Sequence, residues 1–480
     1  MSLADTIKNI LGFQPPDISS LDKAATHRST PQKQAEMPRD SVDEIEVTGD
    51  YEQALALIEA AVPVIFVTGR AGTGKSTFIQ FIGKRYEGAL AVVAPTGVAA
   101  LNAGGVTINS FFLFPPRTIN PEDIKRVVDN RLYKAIKILV VDEVSMVRAD
   151  VIDAMDQFLR INGRNSDMPF GGVQLILVGD LAQLPPVVSK EVEAVLFSRR
   201  YNSPFFFSAR SLSGGMLAPI ELSRVFRQTD PGFIHLLSRI RIGDSGGNIL
   251  DEINKRVGHV LPEPAPVTLT PSNQAADEIN LAGMSLLEGE EMLFLGVISG
   301  KIKPEEEKLP APLHLLLKRN ARVMFTKNDG QKRWVNGTLG VVRDFSDDKI
   351  SVEIDERGRG IVDVDRMTWE QYKYRYDEEE ECVITEVVGF YRQFPLQPAW
   401  AVTIHKAQGK TLPAVNIDLG RGAFAAGQTY VALSRARGLD SIWLQKPIQK
   451  KDIFCDPRIA EFYRGLFGER EGGSGFEILS

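Results

Sequence analysis

Short, uniformly apolar runs punctuate the first half of the chain: VIFVT at Val64–Thr68, LAVVA at Leu90–Ala94, ILVV at Ile138–Val141 and VQLILV at Val173–Val178. Each ends in Gly, Pro or a carboxylate, and helical stretches lie between them. Apolar runs of this length without alternation predict strands buried on both faces, as in a parallel sheet covered by helices. A second set at VTLT (Val267–Thr270), WAVTI (Trp400–Ile404), VNID (Val415–Asp418) and IWLQ (Ile442–Gln445) predicts a second α/β domain in tandem. Between them, about Gln331–Tyr391, the texture changes. Turn signals at Asn336-Gly337, Asp347-Asp348 and Arg357-Gly358-Arg359-Gly360 separate short alternating runs such as SVEID and IVDVD. This is hairpin chemistry, and it predicts a small antiparallel β-domain inserted into the second α/β domain.

The two ends read differently. From about Phe13 to Glu44 the chain is rich in Pro, Gln, Ser, Thr and charge, which predicts a disordered arm. Ahead of it, Leu3, Ile7, Ile10 and Leu11 could share one helical face, making a candidate docking peptide for a protein partner. The closing EGGSGFEILS predicts a flexible tail. The expected boundaries are an arm over 1–45, a first domain over 46–215 with a small insertion at about 115–136, and a second domain in two parts, 216–330 and 395–467. These parts flank the β-domain at 331–394, and 468–480 form the tail.

Composition narrows the class. With 480 residues, 43% hydrophobic and 25% charged, the chain reads as globular and multidomain. Two cysteines are too few for a disulfide framework, and the five histidines never pair at metal-ligand spacing. No apolar run is long enough to span a bilayer, so no membrane partner is expected. The net charge of −6 describes the whole surface and leaves room for a local basic groove.

The chemistry concentrates at strand ends. GRAGTGKS at Gly69–Ser76 matches the phosphate-binding loop, following a strand and opening a helix as that motif requires. Gly69, Ala71, Gly72, Thr73, Gly74, Lys75, Ser76 and Thr77 would cradle ATP, with backbone N–H groups around the phosphates. Lys75 would neutralise the β- and γ-phosphates, and the Ser76 hydroxyl would hold Mg²⁺. Asp142-Glu143, closing the run at Ile138–Val141, would supply a second Mg²⁺ ligand and the group that activates the attacking water. Asp180 and Gln183 leave a neighbouring strand at the same edge, where Gln183 could sense the γ-phosphate.

Joined with motifs further along the chain, these segments resemble the Pif family (petite integration frequency) of DNA helicases, in superfamily one, group B. APTGVAALNAGGVTINSFF is similar to that family's single-strand-binding motif; DEVSM, GDLAQLPPV, VFRQ, TIHKAQGKTL and YVALSRAR match its later motifs in order. The segment from about Asp150 to Gly172, closing in MPFGG, resembles the signature that separates the family from RecD-like cousins. Two departures stand out. Asn109 occupies a position where the family usually has His, and Gln53, the one glutamine near the adenine-reading position, has the spacing of a surface helix residue.

The resemblance implies an α/β fold of two tandem RecA-like P-loop motors with a small inserted β-barrel-like domain. It implies an ATP hydrolase that unwinds DNA, moving 5′ to 3′ on a single strand in replication, repair or recombination. It assigns Arg227 and Arg435 to the transferring phosphoryl group, and Gly409 to the phosphates, with Lys410 beside it. Thr96, Gly97, Val98, Asn109 and Ser110 in the first motor, with Thr403 and His405 in the second, would contact the strand. Phe111 and Phe112 could stack on bases or pack in the core. Single-stranded DNA and forks are the expected partners, with G-quadruplex DNA a further candidate. A monomer is expected, in the nucleoid of a bacterium or in the nucleus or mitochondrion of a eukaryote. The rival readings are an ATP-driven translocase acting on RNA or stripping proteins from a strand, and a binding switch without turnover.

Overall fold

The computed structural model describes residues 46–188, 200–300, 309–355 and 360–468. The N-terminal arm with its docking peptide, the tail beyond Gly468 and the turn at Arg357-Gly358-Arg359 lie outside these residues.

Six strands build the first sheet: β1 (Val64–Gly69), β2 (Leu90–Ala94), β3 (Val106–Thr107), β4 (Ile138–Val141), β5 (Gln174–Val178) and β6 (Leu217–Leu222). They lie in the order β3-β2-β4-β5-β1-β6, every pair parallel. Alternate residues serve opposite faces, which is why the runs are apolar throughout. Val64, Phe66, Val93, Val141 and Leu177 enter one core, while Ile65, Val67, Val92, Val140 and Val178 enter the other.

After β7 (Val267–Thr270) the chain leaves for the insertion. There β8 (Met292–Leu295) pairs with β10 (His314–Leu317), and β9 (Val297–Gly300) pairs with one arm of a long hairpin, β15 (Met367–Asp377) and β16 (Cys382–Gln393). The insertion, expected to be a small barrel-like β-domain, also carries a five-stranded antiparallel sheet. This sheet combines β11 (Arg322–Phe325), β12 (Leu339–Phe345), β13 (Ile350–Ile354), β14 (Ile361–Val364) and β17 (Leu396–Pro398), in the order β14-β13-β12-β11-β17. The chain then completes the second parallel sheet with β18 (Ala401–Thr403), β19 (Val415–Ile417) and β20 (Ile442–Leu444), ordered β18-β7-β19-β20.

The structure draws three boundaries away from the sequence reading. The residues from 216 open with β6, which pairs along its whole length with β1 and belongs to the first sheet. The insertion begins near β8 and ends at β17, so it is wider than 331–394. The C-terminal helix Pro457–Phe467, expected in the second motor, returns to the first. Tyr463 Oη lies 2.7 Å from Thr68 Oγ1, and Phe462 stacks on Phe207 at 4.2 Å.

The hairpin β15–β16 also reaches the first domain. Tyr374 and Val383 enter its core, Tyr374 accepts a hydrogen bond from Val92 N at 3.0 Å, and Val383 N donates to Gly88 O at 2.8 Å. Phe111 meets Tyr374 edge to face, and both it and Phe112 are buried, so the pair packs the core and presents no stacking platform.

Candidate functional site

In the first sheet β4, β5 and β1 are neighbours, so the residues just beyond them share one edge. That topology gathers Asp142-Glu143, Asp180 to Gln183 and the phosphate loop side by side at the carboxyl ends of the strands. The loop opens the helix Lys75–Arg85, whose first N–H groups face an incoming anion. Gly72 and Gly74 both take φ of 85°, a left-handed backbone in which a side chain is strained. A Cβ on Gly72 would also come within 2.5 Å of Arg227 Cβ, so the loop is closely covered by the connector between the motors. Tyr51, which the sequence reading did not single out, donates to Gly74 O at 2.8 Å. Lys75 is folded onto its own loop, donating to Gly69 O at 2.8 Å and Arg70 O at 2.9 Å. Burial lowers its pKa, with Asp180 and Glu143 opposing that shift. Ser76 and Thr77 are exposed, Ala71 and Thr73 are buried, and Gln53 lies on the exposed face of the helix Gly49–Glu59.

Burial, and then the charge of Glu143, push Asp142 up to about 7. Burial raises Glu143 as well. Two carboxylates held this way are short of positive charge. The Asp142 carboxylate and the Ser76 hydroxyl are hard oxygen donors of the kind Mg²⁺ takes together with phosphate oxygens and water. Glu143 sits at φ 49°, and its N–H donates to Asp142 Oδ1 at 2.8 Å. A non-glycine residue in that region costs about 1–3 kcal/mol, and such strain gathers at functional sites.

The second motor closes over this edge. Gln408 Nε2 donates to Glu143 Oε2 at 3.0 Å and to Gln183 Oε1 at 3.3 Å. Tyr430 Oη accepts from Ala71 N at 3.0 Å and donates to Asp180 Oδ2 at 3.2 Å. Beneath it lies a fully buried ion pair, Arg241 to Asp180 at 3.0 Å. Burial alone would raise the Asp180 pKa, but Arg241 and Lys75 outweigh it and hold the carboxyl below its usual range. Gln408 and Tyr430 stand inside motifs read from the sequence, yet their roles depend on what faces them across the cleft. No local pattern carries that information.

Arg227 lies on the connector after β6, directly over the phosphate loop. Its guanidinium donates to Thr411 Oγ1 at 2.9 Å, Ser434 O at 3.2 Å and Gly409 O at 3.3 Å. Gly409 is exposed at φ 77°, one residue beyond Gln408. Arg435 is 1% exposed and donates to the main-chain oxygens of Val431, Ala407 and Lys410 and to Ser434 Oγ. Both arginines border the site, and both are engaged within the second motor in this arrangement. Lys410 is half-buried, its Nζ 3.7 Å from Met324 Sδ, and desolvation of the ammonium lowers its pKa to about 8.

The expected strand-contacting residues follow strands at the same edge of each sheet. Thr96 follows β2 and accepts from Ala99 N at 3.2 Å, capping the helix Gly97–Asn102. Thr403 closes β18 and accepts from Lys406 N at 3.2 Å, capping the helix Ile404–Ala407. These two hydroxyls start helices, a structural job the sequence reading did not assign them. Asn109 and Ser110 are exposed, while Gly97, Val98 and His405 are half-buried; burial lowers the His405 pKa.

Comparison with known proteins agrees with this geometry. Residues 48–241 match the family model described as PIF1-like helicase. An ATP-dependent DNA helicase Pif1 of Bdellovibrio bacteriovorus is 32% identical over 89% of this chain and 94% of its own length. The ATP-dependent DNA helicase PIF1 of Danio rerio is 34% identical over 85% of the chain. The chain spans 62–66% of the length of the PIF1 helicases of Emericella nidulans, Danio rerio and Xenopus laevis, short of two thirds. Unliganded Pif1 from Bacteroides sp is 34% identical, with a TM-score of 0.78 over 89% of this chain and 98% of that one. Bacteroides Pif1 bound to ssDNA, also 34% identical, gives 0.64 over 88% of this chain and 97% of that one. With a bacterial relative and a solved structure both matched almost end to end, the chain belongs to the PIF1-like helicase family.

Proposed function

We propose that this chain is an ATP-driven DNA helicase that moves 5′ to 3′ along a single strand and unwinds the duplex ahead. The observation that carries the reading is the set of hydrogen bonds crossing the cleft, from Gln408 to Glu143 and Gln183 and from Tyr430 to Ala71 and Asp180. A phosphate loop whose hydrolytic groups are joined to a second motor suits chemistry coupled to domain motion. The names of the relatives, ATP-dependent DNA helicases, support the substrate, and the ssDNA-bound Bacteroides structure supports the track. The 5′ to 3′ sense and the role in replication, repair or recombination rest on the family resemblance.

The residues divide the work. Lys75 leaves its loop carbonyls for the β- and γ-phosphates, and Glu143 orients the water and takes its proton. Arg227 and Arg435 turn toward the transferring group, where a fixed positive fork stabilises the developing charge. Ser76 and Asp142 would hold Mg²⁺, which supplies charge neutralisation at the phosphates. Small and polar groups at the strand edge position the sugar–phosphate backbone without reading bases.

ATP turnover measured with single-stranded DNA, with RNA and with neither tests the substrate. Stimulation by DNA above RNA is expected; the reverse would make this an RNA motor. On duplexes tailed at one end, unwinding from a 5′ tail and none from a 3′ tail is expected. Unwinding from a 3′ tail alone would reverse the polarity.

A further inference from the structure

The helix Ile404–Ala407 is one turn long, and its two ends face different tasks. At its start stand Thr403 and His405, from the strand-contacting set. At its end stands Gln408, whose N–H donates to His405 O at 3.1 Å, while Lys406 N donates back to Thr403 Oγ1 at 3.2 Å. Hydrogen bonds tie both ends of so short a segment, so it moves as one body. Beyond that turn, the Gln408 amide holds Glu143 Oε2 at 3.0 Å and Gln183 Oε1 at 3.3 Å. These are the two first-motor side chains that address the attacking water and the γ-phosphate. A carboxylate oxygen that accepts from an amide is a poorer acceptor for the proton of a water, and Gln183, held through its carbonyl by Gln408 and through Nε2 by Asp180 Oδ2 at 3.4 Å, does not turn that N–H donor to an incoming phosphate.

We propose that Gln408 is a brake on hydrolysis. Without a strand it holds Glu143 and Gln183 toward the second motor. A strand bound at Thr403 and His405 shifts the turn and frees both. The proposal rests on the DNA-motor reading above. Gln408 is a positioning residue, acting on the reaction only through Glu143 and Gln183.

The test compares ATP turnover of the full chain and its Gln408→Ala variant, without nucleic acid and with saturating oligothymidylate. Release of an amide–carboxylate hydrogen bond corresponds to about tenfold in rate. Turnover of Gln408→Ala without DNA should therefore rise about tenfold, while turnover at saturating DNA changes little. The stimulation ratio should fall by the same factor. Gln408→Asn, one carbon shorter and still polar, should lose the reach and behave alike. A general structural defect lowers both rates and cannot raise the DNA-free one. If both rates drop together, the amide assists Glu143 and the brake is wrong; an unchanged ratio in a DNA-stimulated protein also overturns it. A parent that no single-stranded DNA stimulates removes the DNA-motor reading itself, and the brake with it.

Discussion

Across the cleft between the motors, side-chain hydrogen bonds and an ion pair lie beside a small apolar contact in which Ala71, Ala182 and Leu184 join the second motor's core, whereas the inserted hairpin meets the first motor mainly through rings and aliphatic side chains. The cleft holds the Arg241–Asp180 pair, both side chains fully buried, with Tyr430 and Gln408 bridging the two sides. The hairpin brings Tyr374 and Val383 into the core beside Phe111 and Tyr133, with one side-chain hydrogen bond on Val92 N and an exposed Arg131–Glu378 ion pair at the rim. The difference has a physical consequence. Apart from the buried ion pair, each hydrogen bond across the cleft contributes only about 1 kcal/mol net, because water or a phosphate oxygen can replace the lost partner. A polar joint can therefore exchange partners stepwise through a nucleotide cycle. Apolar burial is non-directional and scales with area, so the hairpin dock holds or lets go as a unit.

The largest effect that would break this comparison is at the phosphate loop. Lys75→Ala should cut ATP turnover by something on the order of a thousandfold, since a full charge aimed at the phosphates is lost. Single-strand binding measured without nucleotide should survive, and so should protection of the hairpin from protease. Loss of that protection would show that cleft and dock are one joint.

Next comes the buried ion pair. Arg241→Met leaves Asp180 as an uncompensated buried charge, and thermal or denaturant unfolding should report a loss of about 3–5 kcal/mol. The folded Asp180 pKa lies below its unfolded value, so the pair's contribution is present above the ordinary carboxylate pKa. It is lost as pH falls through the depressed value. The variant's deficit should therefore shrink toward acid pH. A deficit that stays constant from neutral to acid pH would mean that the pair is not what stabilises this side of the cleft.

Legibility from sequence divides along the same line. The β1, β2, β4 and β5 runs, the phosphate loop and Asp142-Glu143 are local patterns: apolar in both parities, or glycines and charges at fixed spacing. β6 was read into the wrong domain because LAPIEL carries a proline and a glutamate and buries only Ile220 and Leu222 well. Its membership comes from pairing with β1 across about 150 residues, which no window reveals. Tyr374 reads as an alternating strand residue like its neighbours in MTWEQYKYRYD. Only the fold shows that it plugs the first motor. Gln408 and Tyr430 were inside recognised motifs, but a motif names a segment and leaves open which atom faces the other domain.

The dock itself can be graded by two substitutions at one residue. Tyr374→Ala removes a buried ring and should cost about 3 kcal/mol, while Tyr374→Phe keeps the ring and leaves Val92 N–H without its acceptor, costing about 1 kcal/mol. Hydrogen exchange at the edge of β2 and β3 measures both. Equal losses would mean that the hydroxyl, and not the ring, makes the joint, and the contrast with the cleft would disappear.

The smallest effect is expected at the rim of the same dock. Glu378 pairs with Arg131, but both side chains are largely exposed, at 70% and 48%. Asp129 also holds Arg131, so that guanidinium keeps a carboxylate partner when Glu378 is neutralised. Water and salt screen what remains, and two long side chains lose rotamer freedom to meet. Glu378→Gln should therefore leave the melting temperature and the hydrogen exchange of the dock unchanged at physiological ionic strength. If it loosens the hairpin as much as Tyr374→Phe does, the rim carries the joint. The dock would then belong to the same electrostatic class as the cleft, open to tuning by salt.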